Sequence, residues 1–283
     1  MASYHGLGRA AVREPTLARE SGGMEASLLE VRRDGPVVHV VLDRPEVRNA
    51  FNVALIEALR AAFETLGADA GVRAIVLSGN GKSFCGGADV HWMRESLDLT
   101  REENVEDARR LSRMLRTIDR VPVPVIARVH GAALGGGAGL AAVCDIVVAA
   151  DDALFGFTET KLGILPAVIS PFVVAKIGQS HARALCLTGE RFGAERAKAI
   201  GLVHEVTPAS ELDAAVARIA REVESASPTG IAATKRLLAQ VAERTYDDTL
   251  DITAHAIAEQ RTSAEGQEGL RAFLEKRRPV WTR

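Results

Sequence analysis

Short apolar runs at Ser27–Arg32 and Val37–Leu42 flank the turn pair Asp34-Gly35, which predicts a β-hairpin. The spacing then changes to a helical period over Val53–Gly67. Arg73–Ser78 (RAIVLS) reads as a buried strand, Glu102–Asp119 as a helix, Val125–Val129 as a strand, Gly137–Val143 as a helix and Asp145–Ala150 as another strand. The order β, β, α therefore recurs loosely, with Pro122 and Pro124 punctuating the third unit. Gly201–Val206 reads as a last strand. After residue 208 the pattern is helical throughout: Ser210–Ser225, Thr229–Glu243, Tyr246–Ser263 and Glu265–Arg277, with Pro228 parting the first two. The pattern predicts a mixed α/β core over 24–207 and a helical region over 208–283 that packs on the core or on a second subunit.

Residues 1–23 carry Gly, Arg and Pro without period and no apolar stretch of a secretory signal, so they are expected to be a disordered extension. Met24 opens a cleaner sequence and is a second candidate start. A chain of 283 residues, 47% hydrophobic, is long enough for a large core, which excludes disordered and fibrous classes. The net charge of −2 gives no general reason to bind nucleic acid or an anionic membrane, which leaves a small-molecule substrate as the expectation. Charges interrupt every apolar run before it reaches a membrane-spanning length. Cys85, Cys144 and Cys186 are widely spaced without a metal-ligand pattern, which fits a reducing cytoplasm and no metal.

Two glycine-rich turns, FCGGAD at Phe84–Asp89 and HGAALGGGAGL at His130–Leu140, each follow a strand-like run. Glycine lets the backbone approach a ligand closely, and N–H groups at a turn leading into a helix concentrate positive potential on an anionic oxygen. Glu159 comes after both turns, so the pattern suggests an oxyanion pocket beside one acid/base.

Read in order, LDRPEVRNAFN (42–52), AIVLSGNGKSFCGGADV (74–90), HGAALGGGAGLAAVCDIVVA (130–149), FTETKLGILP (157–166), LTGERFGAERAKAIGLVHEV (187–206) and EGLRAFLEKRRPVW (268–281) resemble the crotonase, or enoyl-CoA hydratase/isomerase, superfamily. The resemblance covers nearly the whole chain after Met24. It implies an α/β spiral of ββα repeats, with a helical C-terminal region that builds a homotrimer or a dimer of trimers. It also implies an acyl-CoA substrate, CoA serving as the carrier, with no other cofactor. By position, the backbone N–H groups of Ala88 and Gly136 would hold the thioester oxygen, and Glu159 would exchange a proton with the substrate. Ala88, Asp89, Val90 and His91 would line the CoA channel, with Arg48, like Arg44, near the CoA phosphates. Phe273 and Lys276 match residues that reach the CoA of a neighbouring subunit.

One position departs from the family. Hydratases with the usual carboxylate pair carry a second glutamate where this chain has Gly139. In the hydratase reading, Glu159 alone handles water addition. LPAVISPFVV at Leu165–Val174, in place of a glycine-rich stretch, together with GGGAGL resembles the bacterial methylglutaconyl-CoA or isohexenylglutaconyl-CoA hydratases. Placing a glutamate at Gly139 is then expected to increase hydration of crotonyl-CoA if loss of that carboxylate limits it, and no change would show a pocket that has diverged further. In a second reading Glu159 moves a proton between the α- and γ-carbons, which is double-bond isomerisation; in a third, another residue is recruited for a different reaction on the CoA thioester. Two further readings stand outside this chemistry: a non-catalytic CoA-binding protein, and a dinucleotide-binding fold, since Gly137–Ala142 formally satisfies GxGxxA.

Overall fold

The computed structural model describes residues 28–242 and 244–282; the extension expected over 1–23 lies outside them. In chain order the elements are β1 (Leu29–Asp34), β2 (Val37–Leu42), α1 (Val53–Ala68), β3 (Ala74–Gly79), α2 (Val90–Glu95), α3 (Arg101–Arg120), β4 (Val125–Val129), β5 (Ala132–Leu134), α4 (Gly136–Val143), β6 (Ile146–Ala150) and β7 (Leu154–Gly156). They continue with α5 (Ser170–Thr188), β8 (Arg191–Gly193), α6 (Ala194–Ala199), β9 (Glu205–Thr207), α7 (Leu212–Ser225), α8 (Pro228–Val241), α9 (Tyr246–Thr262) and α10 (Ala264–Leu274).

Six strands form one sheet in the order β1-β2-β3-β4-β6-β9. The predicted hairpin makes its antiparallel edge, and every later pairing is parallel. Parallel neighbours need crossovers, which α1, α3 and α4 supply. Helix α1 starts where the Asn52 side chain accepts the Leu55 N–H, and it buries Leu55, Ile56, Leu59, Phe63 and Leu66 on one face. Helix α3 starts from a Thr100/Glu103 capping box and buries Met114, Leu115 and Ile118 near its end. On the opposite face of the sheet, α7 packs Leu212, Ala215, Val216 and Ala220 against Val37, Ala74, Val76, Ile126 and Val148. Being covered on both faces explains why β3 is buried at every position and reads as a continuous apolar run.

A second sheet, β5-β7-β8, has three residues in each strand and stands beside the first. Such lengths leave no periodicity in the sequence, so these strands escape prediction. The strand expected at Gly201–Val206 is confined to Glu205–Thr207. Its first half is drawn into a helix end, because the N–H groups of Leu202 and Val203 both bond the Ala197 carbonyl (2.9 and 3.1 Å).

Candidate active site

The two glycine turns meet at the start of α4. This eight-residue helix is buried at every position from Gly137 to Val143, so it runs through apolar core rather than along the surface. Its N-cap, Gly135, has φ 51° and ψ −122°, a conformation that a side chain would strain. The Gly135 N–H is held by the Gly156 carbonyl (2.8 Å), which ties the helix start to the second sheet. Gly136 opens the first turn, so its N–H has no carbonyl one turn back to bond.

The FCGGAD turn lies against this point. A Cβ at Gly87 would stand 2.8 Å from the Leu134 carbonyl oxygen and 3.7 Å from the Gly136 nitrogen. Phe51 and Ala88 form a parallel bridge in which the Phe51 N–H bonds the Gly87 carbonyl (2.7 Å) and the Asp89 N–H bonds the Phe51 carbonyl (2.8 Å). That pattern turns the N–H of Ala88 to the opposite side. Ala88 and Gly136 are each partly exposed between two buried neighbours, so both border open space.

Glu159 begins a 3-10 turn, Glu159–Leu162, that follows β7. Its carboxylate covers the Gly135 turn: a Cβ at Gly135 would lie 3.3 Å from Oε1 and 3.6 Å from the carboxyl carbon. Oε2 is buried and has no hydrogen-bond partner among the described residues. Burial penalises the charged form and raises the carboxyl's pKa above the usual range. A half-buried carboxylate with a free oxygen beside the start of α4 is equipped to take a proton and return it next to negative charge developing there.

The space over Gly139 is filled. A Cβ there would lie within the side chain of Ile169, 2.6 Å from its Cβ. Ile169, just before α5, is itself only 3% exposed. Glycine at 139 and isoleucine in LPAVISPFVV are two sides of one contact, so the pocket has diverged by more than the lost carboxylate: no side chain fits at 139 while Ile169 stays. The dinucleotide alternative fails on the same helix, because a Cβ at Gly137 would strike the Cys85 carbonyl, 2.8 Å from its carbon, so these glycines serve packing rather than a phosphate.

The Asp89 side chain is turned inward. It caps α2 by accepting the His91 N–H (2.8 Å) and pairs with Arg44 (2.8 Å), the two side chains being 5% and 14% exposed. Burial pushes its pKa up, but the His91 and Arg44 hydrogen bonds outweigh this and hold it below the usual value. Arg44, expected with Arg48 near the CoA phosphates, also donates to the Ala50 carbonyl (2.6 Å) and is committed to the fold. Arg48, Val90 and His91 are exposed around the turn. Trp92 donates to Asp107 and so pins α2 to α3. Phe273 is 81% exposed near the end of α10 and Lys276 follows that helix, both far in sequence from this chain's own glycine turns; α10 itself packs with α8 and α9. The Cys85 thiol is fully buried, donates to the Asn49 carbonyl (3.2 Å) and is pushed up to about 12 by burial, which suits a packing residue. Asp145 accepts the Val125 N–H (2.8 Å) and pairs with Lys235 (2.7 Å), a structural role. Asn49, at the centre of these contacts, was missed; its one sequence signal was an Asn before the helix-capping Asn52.

The enoyl-CoA hydratase/isomerase family matches residues 32–283. An enoyl-CoA hydratase structure from Shewanella pealeana superposes with a TM-score of 0.87 at 40% identity, covering 91% of this chain and 97% of that one. The 2,3-dehydroadipyl-CoA hydratase of Escherichia coli K12 is 34% identical over 255 residues, 89% of this chain and 98% of the relative. The enoyl-CoA isomerase/hydratase fer4 of Mycosarcoma maydis is 32% identical over 256 residues, 87% of this chain and 92% of the relative. With the glycine turns, the carboxylate and the spiral α/β fold in place, the chain belongs to the enoyl-CoA hydratase/isomerase family, as an enzyme of the crotonase fold.

Proposed function

We propose that the chain adds water reversibly across the double bond of a 2-enoyl-CoA thioester, with Glu159 as the single acid/base. The observation that carries this reading is Glu159 Oε2, buried, unpartnered and beside the start of α4. Glu159 takes a proton from water as the water oxygen bonds C3. The π electrons move onto the thioester oxygen, which the Ala88 and Gly136 N–H groups stabilise, and the enolate then collapses as Glu159 returns its proton to C2. One carboxylate serving both carbons requires the water oxygen and the proton to add to the same face. The relatives whose names specify hydratases support hydration. Double-bond isomerisation is the second reading, favoured by Ile169, which puts an apolar side chain where a second carboxylate would hold water. Incubating the enzyme with 3-methylglutaconyl-CoA and with a 3-enoyl-CoA in labelled water separates the two: label at C3 supports hydration, and migration of the double bond without C3 label refutes it.

For the acyl group we propose a branched, 3-methylglutaconyl-like chain. The pairing of GGGAGL with LPAVISPFVV supports it, and exposed Lys161 and Arg94 offer cations to a distal carboxylate. Arg48, Val90 and His91 with the backbone of Ala88–Asp89 are proposed to receive CoA. Phe273 and Lys276 are proposed to serve a neighbouring copy's CoA in a homotrimer or dimer of trimers. Exposed apolar side chains on the C-terminal helices, Leu238, Leu250, Ile257, Leu270, Phe273 and Leu274, support that assembly. Sedimentation as a monomer at micromolar concentration would refute it.

A further inference from the structure

We propose that Asn49 is the positioning residue of the oxyanion hole, setting the direction of the Ala88 N–H; the inference rests on the function proposed above. Asn49 is completely buried, with φ 55°, a left-handed conformation that asparagine adopts more readily than most residues. Its side chain is fully used. Nδ2 donates toward three carbonyls, those of Asn80 (2.9 Å), Ser83 (2.8 Å) and Phe84 (3.2 Å), and Oδ1 accepts the Arg44 N–H (2.9 Å). Those carbonyls line the loop that leaves β3 and leads into the FCGGAD turn.

From this clamp the turn is fastened rung by rung along residues 48–51. The Cys85 thiol bonds the Asn49 carbonyl (3.2 Å), the Gly86 N–H bonds the Arg48 carbonyl (2.8 Å), and the Phe51 N–H bonds the Gly87 carbonyl (2.7 Å). The Asp89 N–H closes the series on the Phe51 carbonyl (2.8 Å). In such a ladder alternate N–H groups point to opposite sides, so register alone decides whether Ala88 or its neighbour faces the thioester oxygen. Asn49 sets that register at the first rung. Even Gly79 conforms, since a Cβ there would come within 2.6 Å of Asn49 Nδ2. The amide touches no substrate atom; it acts through the loop.

The direct readout is polarisation of a bound thioester. A conjugated enoyl-CoA held in the hole should show a red-shifted absorption band and a lowered carbonyl stretching frequency. Wild type and Glu159→Gln should both show these shifts, because the hole is intact in each. Asn49→Asp keeps the shape and the acceptor for Arg44 but turns an oxygen toward three carbonyls. Asn49→Gly keeps the left-handed backbone and leaves room for water in place of the amide. Either folded variant should lose most of the spectral shift, lower kcat by about 10²–10³-fold, as for one lost donor, and leave KM and the affinity for CoA itself within a few-fold. A folded Asn49 variant that retains the shift and the turnover overturns the proposal, and so does a chain that unfolds in both variants, which makes Asn49 scaffold alone. A wild-type enzyme that binds enoyl-CoA without any shift refutes the oxyanion hole itself, a result distinct from loss confined to the variants.

Discussion

The contact between Gly139 and Ile169 makes a prediction that can be worked from distances. A methyl added at 139 must displace Ile169, whose Cβ as well as its terminal carbons stand in the way, so truncation to alanine would leave a 2.6 Å Cβ–Cβ approach. Only Ile169→Gly clears the space. Gly139→Ala alone should destabilise by about 1–3 kcal/mol through overpacking. Ile169→Gly alone should cost roughly 2–5 kcal/mol for the cavity, with about 0.5–1 kcal/mol more for glycine's flexibility. Combined, the methyl fills part of the cavity, so the double variant should be more stable than Ile169→Gly alone. The coupling should favour the pair by about 2–3 kcal/mol.

Urea denaturation of the four proteins at one protomer concentration measures the cycle. Effects that add to within about 0.5 kcal/mol would show that the two residues do not share the space, and the reasoning would fall. The catalytic version follows from the same geometry. Gly139→Glu should fold poorly and hydrate crotonyl-CoA no faster, whereas Gly139→Glu/Ile169→Gly should hydrate it faster than Ile169→Gly, by at most the roughly 10²–10⁴-fold of an added acid/base. Loss of the enoyl thioester absorbance follows the reaction.

Glu159→Gln should lower kcat by about 10²–10⁴-fold, measured on the true substrate; activity within a few-fold of wild type would remove its acid/base role. The pH profile of kcat/KM should fall on the acid side at a pH above the ordinary glutamate range, because burial raises the Glu159 pKa and the base form is required. The same shift links to stability: the folded state holds this proton more tightly than the unfolded one, so stability falls as pH rises through the folded pKa. Glu159→Gln should therefore gain stability over wild type at neutral pH, and the gain should vanish below the unfolded carboxyl's pKa; a difference independent of pH would contradict it. Arg44→Ala leaves Asp89 buried without its cation and should destabilise the fold by about 3–5 kcal/mol, read from the urea midpoint. Gly136→Val should act by displacing the Phe51 ring, 3.2 Å from the added Cβ, rather than by filling the pocket, so crystallography of the variant should show Phe51 moved.

The parts of the fold legible in the sequence are those whose burial has a period. Val125–Val129 and Val37–Leu42 are found at their predicted bounds, and α1 differs from its prediction by a residue. The strands of the second sheet and the short α2 carry too few residues to show a period, and they are fixed by partners distant in sequence. The site divides in the same way. Glycine turns and a glutamate are local signals. The inward turn of Arg44, Ile169 over Gly139 and the Asn49 clamp are products of tertiary contact, and each involves residues 30 or more positions apart for at least one bond.

Helix α4 joins these local and distant features into one electrostatic device. Because apolar core surrounds it, water does not screen its dipole, and its two ends must be satisfied differently. At the C-terminal end Lys176, reaching from α5, donates to the carbonyls of Cys144 (2.6 Å) and Asp145 (3.0 Å). Burial lowers the Lys176 pKa, against which the Asp145 charge acts. Lys235 from α8 pairs with the Asp145 carboxylate, so that carboxylate has its own cation and Lys176 is left to the negative end of the helix. The N-terminal end has no such partner among the described residues: Gly136 keeps its N–H, and Glu159, its carboxyl pKa raised by burial, stands beside it. On the mechanism proposed above, a positive helix end left open next to a carboxyl group whose pKa burial raises would receive the negative charge that arrives only with the reacting thioester.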